Sequence, residues 1–357
     1  SMPGKTLDSF VENLFHVLNR HMNISKKATG GTNFGNISKE VAKVLEDQIK
    51  AAKAIRVRNA LIDAQIEAQH VRNIEDHPYP ELYLQQLMVG SVKGHNLRGE
   101  GTINFGQKRS VDAEQFWAVT NAIATLSKAL EDNNLKGIAF VKNNAEPVMR
   151  EAFNILNNKP IKNKKMGEVA QIFIDHYTKF INEANNAGSM KALDFDNMFE
   201  VNHSRENIFK NKVKWKEFAK ENFDLEKTFS VVARTDEELD AQLNFLWDAL
   251  VNGRNIQYSG AVYKAGNKNF MLRGGGLRAG FTGKGDLARR LSQESQVYFK
   301  DVEARIKYDK EGFGTKDFWE SHIYNLEHLV RNTTLMKRLG TNPKAMLKKL
   351  VNSVKED

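Results

Sequence analysis

From Gly274 to Asp301 the chain reads GGGLRAGFTGKGDLARRLSQESQVYFKD, its densest glycine cluster. Glycine has no Cβ and enters φ > 0 freely, so no helix is expected to run through this stretch; the backbone turns sharply or lies against another surface. Any fold must therefore place helical material on either side of an irregular connection. Paired Arg289 and Arg290 follow, then Ser292, Gln293, Phe299, Lys300 and Asp301, with charged and apolar residues alternating as a docked segment would. A connection this long needs partners to be ordered. The expectation is that it packs back on the loop around His203 and on the helix bearing His322, with Arg289, Arg290, Lys300 and Asp301 holding that junction.

Around this stretch the apolar residues recur at helical spacing. Leu7 to Leu18 predict an amphipathic helix over residues 5–22, and Ile37 to Ile66 a long one over about 37–71. Asp76-His77-Pro78-Tyr79-Pro80 breaks it, because proline removes a donor and biases its predecessor to extended geometry. Further helices are expected over 82–89, 113–130 (carrying Phe116 and Trp117), 146–156 and 167–185, the last stopped by Asn185-Asn186-Ala187-Gly188. Ser204 is placed to cap a helix carrying Ile208, Phe209, Val213, Trp215 and Phe218. Thr235 with Glu238 reads as a capping box before Leu239 to Leu250. Val297 to Phe299 is expected to be extended, and Asp301 to cap a helix through Tyr308. A helix over 317–339 ends at Gly340, and Pro343 opens a last one over 344–354. Two similar fragments, Gly31-Thr32-Asn33-Phe34-Gly35 and Gly101 to Gly106, share loop chemistry without forming a repeat.

The fold class that follows is mostly α: a multi-helix globular array with a small irregular or β segment near residues 256–300. An N-terminal helical region over 1–200 and a C-terminal one over 201–357 are expected, either as two units or as one continuous domain. At 357 residues and 41% apolar content the chain is long enough for a substantial core.

The net charge is +9, from 53 Lys and Arg against 44 Asp and Glu. Nucleic acid or another anionic surface is thus a candidate partner, through counterion release from phosphate; the alternative is a solvated surface with both signs interspersed. There is no cysteine, which excludes disulfides and thiolate metal sites. No apolar run reaches the length of a membrane span, and no signal-peptide core is apparent.

Catalytic signatures are incomplete. No HExxH or GxSxG occurs, and the spacing of His322 and His328 puts them on different helix faces. Gly283-Lys284-Gly285 fails as a phosphate loop, because Arg278 stands where the first glycine belongs and Gly285 replaces the Ser or Thr. No metal site and no cofactor is expected. One polar set remains: His203, Arg205, Arg289, Arg290, Gln293, Lys300, Asp301, His322 and Arg331. It could line a pocket, with a histidine for acid-base work and arginines for an anion. It could equally tie loops to helices through hydrogen bonds and ion pairs.

The order Asn185-Asn186-Ala187-Gly188, Leu193-Asp194, His203 before Trp215, the glycine-rich stretch, Arg289-Arg290-x-Ser292-Gln293, Phe299-Lys300-Asp301, His322 and Leu335-Met336-x-x-Leu339-Gly340-x-Asn342-Pro343 resembles a region of the large internal virion, or ejection, proteins of tailed bacteriophages. The resemblance spans about residues 40–350 and is most specific over 185–343. It implies a non-enzymatic component of the capsid interior, delivered into the host cell with the genome and acting by self-association or nucleic-acid contact. Other virion proteins, further copies of itself and non-specific DNA are the implied partners, and the chain would be part of a longer polyprotein. The alternative is an injected enzyme acting on host protein or nucleic acid, for example an ADP-ribosyltransferase or a nuclease.

Overall fold

The structure is a computed structural model that describes residues 34–90, 110–135, 137–229, 233, 235–252, 263–265, 268–270, 287–292, 295, 297–314 and 318–356. The helix expected over 5–22, the fragment 101–106, the run Gly274–Asp286 and Gln293 lie outside the described residues. The rest is mostly helical, as the periodicities require. In chain order the elements are α1 (Phe34–Glu75), α2 (Pro80–Val89), α3 (Val111–Asp132), α4 (Gly137–Asn143), α5 (Ala145–Leu156), α6 (Lys164–Asn186), α7 (Phe195–Met198), α8 (Arg205–Lys210), α9 (Lys212–Asn222), α10 (Leu225–Thr228) and α11 (Asp236–Asn252). A two-stranded antiparallel hairpin follows, β1 (Tyr263–Ala265) on β2 (Lys268–Phe270), in register Lys264 to Asn269. The chain continues as α12 (Leu287–Leu291), α13 (Val302–Lys310), α14 (Phe318–Leu339) and α15 (Pro343–Glu356).

Local signals set most of these ends. Ser110 accepts from Ala113 N–H to start α3, Asn163 from Met166 to start α6, and Asp301 from Ala304 at 2.8 Å to start α13. Thr235 Oγ1 accepts from Glu238 N–H at the head of α11. Gly188 (φ +120°) and Gly340 (φ +74°) adopt left-handed backbone past the ends of α6 and α14, where a side chain would be strained. Three local expectations fail. A short helix, α12, forms inside the stretch where none was expected, past its last glycine, Gly285. Ser204 precedes α8 but makes no capping bond, its N–H going instead to Phe313 O at 2.7 Å. The single helix expected after it is interrupted at Asn211 (φ −117°, ψ 41°), which divides it into α8 and α9.

Two large cores result. The first is built from long helices: α14 packs most extensively on α3, and α6 on α5, with Leu126, Val148, Phe173, Ile181, Leu326 and Leu329 inside. The second gathers Trp215, Phe218, Phe223, Leu246, Phe299, Tyr308 and Phe313 from short helices and extended pieces. α13 serves both, giving Val302 and Ile306 to the first and Ala304 and Tyr308 to the second. A smaller cluster joins α1, α2 and α15 through Ile74, Tyr83, Leu87, Met346 and Leu350.

The segment after the glycine-rich run docks as a chain of backbone bonds. Leu287 and Ala288 N–H both donate to Thr341 O, and Thr341 in turn donates from its own N–H and hydroxyl to the Asp63 carboxylate of α1. Ser295 N–H donates to Asn197 Oδ1, Tyr298 O accepts from Asp224 N–H, and Phe299 forms an antiparallel bridge with Phe223. The docking on the helix bearing His322 is therefore present, through α12 on α14. The loop around His203 pairs elsewhere: His203 bridges Gly314, where a side chain would run into the Asp309 carboxylate.

Candidate functional site

The polar set named from sequence is spread over separate partners. His203 and Arg205 are neighbours, and His203 Nδ1 lies 2.9 Å from the hydroxyl of Tyr308, which also accepts from Trp215 Nε1 at 3.2 Å. Burial, then the charges of Arg305 and Arg205, push the His203 pKa down to about 3. His322 is fully buried in the other core, its ring against Phe173, Tyr177 and Phe199, and burial pushes it to about 3 as well. Both histidines are neutral at pH 7. Arg331 pairs with Glu327 one turn away, Lys300 Nζ donates to Glu221 O, Asp301 caps α13, Arg289 is half-buried and Arg290 is exposed. Gln293 lies outside the described residues.

The buried ion pair beside His203 is one that the sequence did not suggest. Arg305, 2% exposed, pairs with Asp309 on the same face of α13 and lies over the Phe299 ring. Nearby Asp196 has its pKa pushed up to about 7 by burial and then by Asp194, against the opposing pull of Lys227, Arg305 and the Phe299 N–H. The arrangement explains how α7, α13 and the extended segment hold together. Among the described residues no group of three His, Asp or Glu is placed to hold a metal ion.

A cleft of about 550 Å3 lies between α1, α2 and the end of α14, lined by His70, Asn73, His77, Tyr83 and Arg338 among others. Its hydrogen bonds fix the tautomers. His70 Nε2 is 2.7 Å from the carbonyl of Arg338, which can only accept, so that nitrogen carries the proton. Nδ1 then accepts from the Tyr83 hydroxyl at 2.7 Å, while that hydroxyl accepts from Asn73. Burial pushes the His70 pKa down. His77 Nδ1 accepts from Tyr79 N–H, forming the turn between the two prolines. These side chains are committed to joining three helices, which accounts for their polarity without a ligand.

The remaining feature is on the surface. Phe209 (61% exposed) stacks on Trp247 with ring centroids 6.0 Å apart, and Lys212 Nζ stands 4.1 Å from the Trp247 ring centre. Trp247 Nε1 donates to Ile208 O, fixing the indole against α8. Val213, 72% exposed, continues the apolar patch. Around it residues 205–220 carry Arg205, Lys210, Lys212, Lys214, Lys216 and Lys220 against Glu206 and Glu217, a local excess of four positive charges (six minus two). Lys216 is largely buried and paired with Asp240, but Lys210 with Glu206 and Lys214 with Glu311 form exposed pairs. Such exposed pairs are worth about 0–1 kcal/mol and give way readily to a stronger anion. Sequence reasoning placed Phe209 and Val213 on a single helix with Ile208 and Trp215; at about 100° per residue they fall off the face that Ile208 and Trp215 bury, and both are exposed. The clustered lysines were the available signal. Comparison with known proteins finds nothing similar to this chain: no family model, curated protein or solved structure matches.

Proposed function

We propose that the chain is a non-enzymatic contact protein, an internal virion component of the tailed-bacteriophage ejection class, carried in the capsid and delivered with the genome, whose contact is with nucleic acid. The observation that carries the nucleic-acid part is α8 and α9, where an exposed Phe209 is followed by Lys210 and Lys214 in surface ion pairs and by Lys212 over the Trp247 ring on which Phe209 stacks. Lysines there neutralise backbone phosphates without reading sequence. An apolar ring at the centre offers stacking to an unpaired base, worth about 1–3 kcal/mol. The virion part rests on the succession of sequence motifs from Asn185 to Pro343. The enzyme alternative has no comparable support: of the bases it would use, His322 is sealed among aromatic rings and half-buried His203 has its Nδ1 held on the Tyr308 hydroxyl.

The test is fluorescence anisotropy with a labelled duplex and a labelled single strand between about 50 and 200 mM salt. Binding should weaken steeply with salt and be independent of sequence. Joint replacement of Lys210, Lys212 and Lys214 by Ala should reduce the slope of log affinity against log salt by roughly 2–3. Affinity indifferent to salt, or to those substitutions, sinks the nucleic-acid reading. Mass spectrometry of purified virions checks the location.

A further inference from the structure

The outward side of α1 carries Ala54, Val57, Leu61, Ala64, Ala68 and Val71, at alternating intervals of three and four residues. That is the a and d spacing of a coiled-coil seam. Val57 is 60% and Leu61 59% exposed, the three alanines are exposed, and Val71 is half-buried. The side that joins the rest of the protein is the opposite one. Ile55 packs with Met336, and Ile66 and Ile74 with Tyr83 and Leu339. At about 100° per residue the two stripes are centred roughly 170° apart.

From this we infer that α1 is a self-association helix, and that a second copy of this chain packs antiparallel on its outward face. In an antiparallel pair each a position meets a d position of the partner helix. Centring the pair between residues 62 and 63 sets Leu61 against Ala64, Val57 against Ala68 and Ala54 against Val71. Every larger side chain then faces an alanine, the alternation that lets facing helices interdigitate. One step further out the same register sets exposed Lys50 against exposed Glu75 at both ends of the seam. A parallel pair would stack Leu61 on Leu61 and leave Lys50 facing Lys50 and Glu75 facing Glu75, so charge selects the antiparallel form. The contact is isologous and closes as a two-fold dimer, with the bulk of each protomer on the far side of its own α1. The seam runs roughly 25 Å along the helix. That length places it at the small end of specific interfaces, so the dimer forms at about 10–100 μM rather than at nanomolar concentration. The inference deepens the contact-protein reading by naming the partner as this chain itself, yet it is drawn from α1 alone.

Sedimentation velocity on the full chain from about 5 to 200 μM reads the association directly. The weight-average mass should climb towards twice the monomer. Leu61→Glu, and separately Val57→Lys, should hold it at the monomer value with an unchanged circular-dichroism melt, both sites being exposed. The register is read by crosslinking, which the absence of native cysteine makes clean. Ala54→Cys mixed with Val71→Cys under a mild oxidant should give a disulfide-linked dimer, and neither variant alone should, since like positions lie roughly 25 Å apart in the antiparallel pair. A monomer mass at every concentration, a dimer indifferent to both charged substitutions, or each cysteine variant linking to itself overturns the inference. Replacing Lys210, Lys212 and Lys214 by Ala should leave the dimer intact, so its failure and that of nucleic-acid binding are separable.

Discussion

The two large cores each have a histidine against their aromatic rings, buried in the first and half-buried in the second, but they are built by opposite means. In the first, long helices α3, α6 and α14 contribute residues at helical spacing, and His322 is wrapped by rings of Phe173, Tyr177 and Phe199. In the second, Tyr308 sits at the centre of aromatic rings drawn from Phe218, Phe223, Phe299 and Phe313, and its hydroxyl ties His203 to Trp215. A core of long helices is held by continuous apolar stripes and tolerates local error. A core assembled from short pieces needs polar links as well: the Asp301 cap, the Phe223 to Phe299 bridge and the Arg305–Asp309 pair.

The largest expected effect tests whether the cores unfold separately. Trp215→Ala and Phe173→Ala each empty a fully buried site and should cost about 3–5 kcal/mol in denaturant melts. If the cores are distinct cooperative units, hydrogen exchange in Trp215→Ala will accelerate over α9 and α13 while α6 keeps its protection. Equal acceleration in both would erase the contrast, and α13, which serves both cores, would be the reason.

Next in size is the buried ion pair. Arg305→Ala leaves the half-buried Asp309 carboxylate without this cation and should cost about 1–3 kcal/mol, below a wholly buried pair because the carboxylate keeps contact with solvent. Arg290→Ala, at an exposed position on α12, should stay within about 0.5 kcal/mol. This reverses the expectation that Arg290 holds the junction. Thermal melts of the two variants side by side decide it.

The smallest effect is a slope in pH. His322 has a folded pKa near 3 against 6.5 unfolded, so below pH 6.5 the unfolded state binds the extra proton. Stability present above pH 6.5 is therefore lost as pH falls towards 3. Replacing His322 by Gln should flatten this dependence near pH 5 by up to about 1.4 kcal/mol per pH unit. Asp196 works in the other direction: raised from 3.8 to about 7, it contributes most below 3.8 and loses that contribution as pH rises to about 7. Urea melts from about pH 4 to pH 8 cover most of both windows and read both slopes. A His322→Gln profile parallel to the parent's would show that the first core does not hold its histidine neutral.

Helix existence was legible because its causes lie within a few residues of one another. Gly188 and Gly340 stop helices where expected, Asp301 caps α13, and Pro343 opens α15. Which face a helix buries was less legible. Helical spacing put Phe116 and Trp117 on α3 without deciding which face they take; they stand 60% and 51% exposed, edge to face with each other. The polar set failed as a single site for the same reason. His203 and His322 share residue type, but one lies against Tyr308 and the other against Phe173 and Tyr177 in different cores, and no spacing along the chain distinguishes that from proximity.

The sequence by itself determined that this protein is mostly helical and where most of the described helices start and stop. Those outcomes depend on propensity, capping and glycine or proline backbone limits, all local quantities. Tertiary structure alone decided that Tyr308 meets His203 across 105 positions, that Arg305 is buried, and that α1 keeps an apolar face turned outward. Burial, desolvation and ion pairing depend on which surfaces meet in space, and a chain's order carries that information only through the packing of the whole.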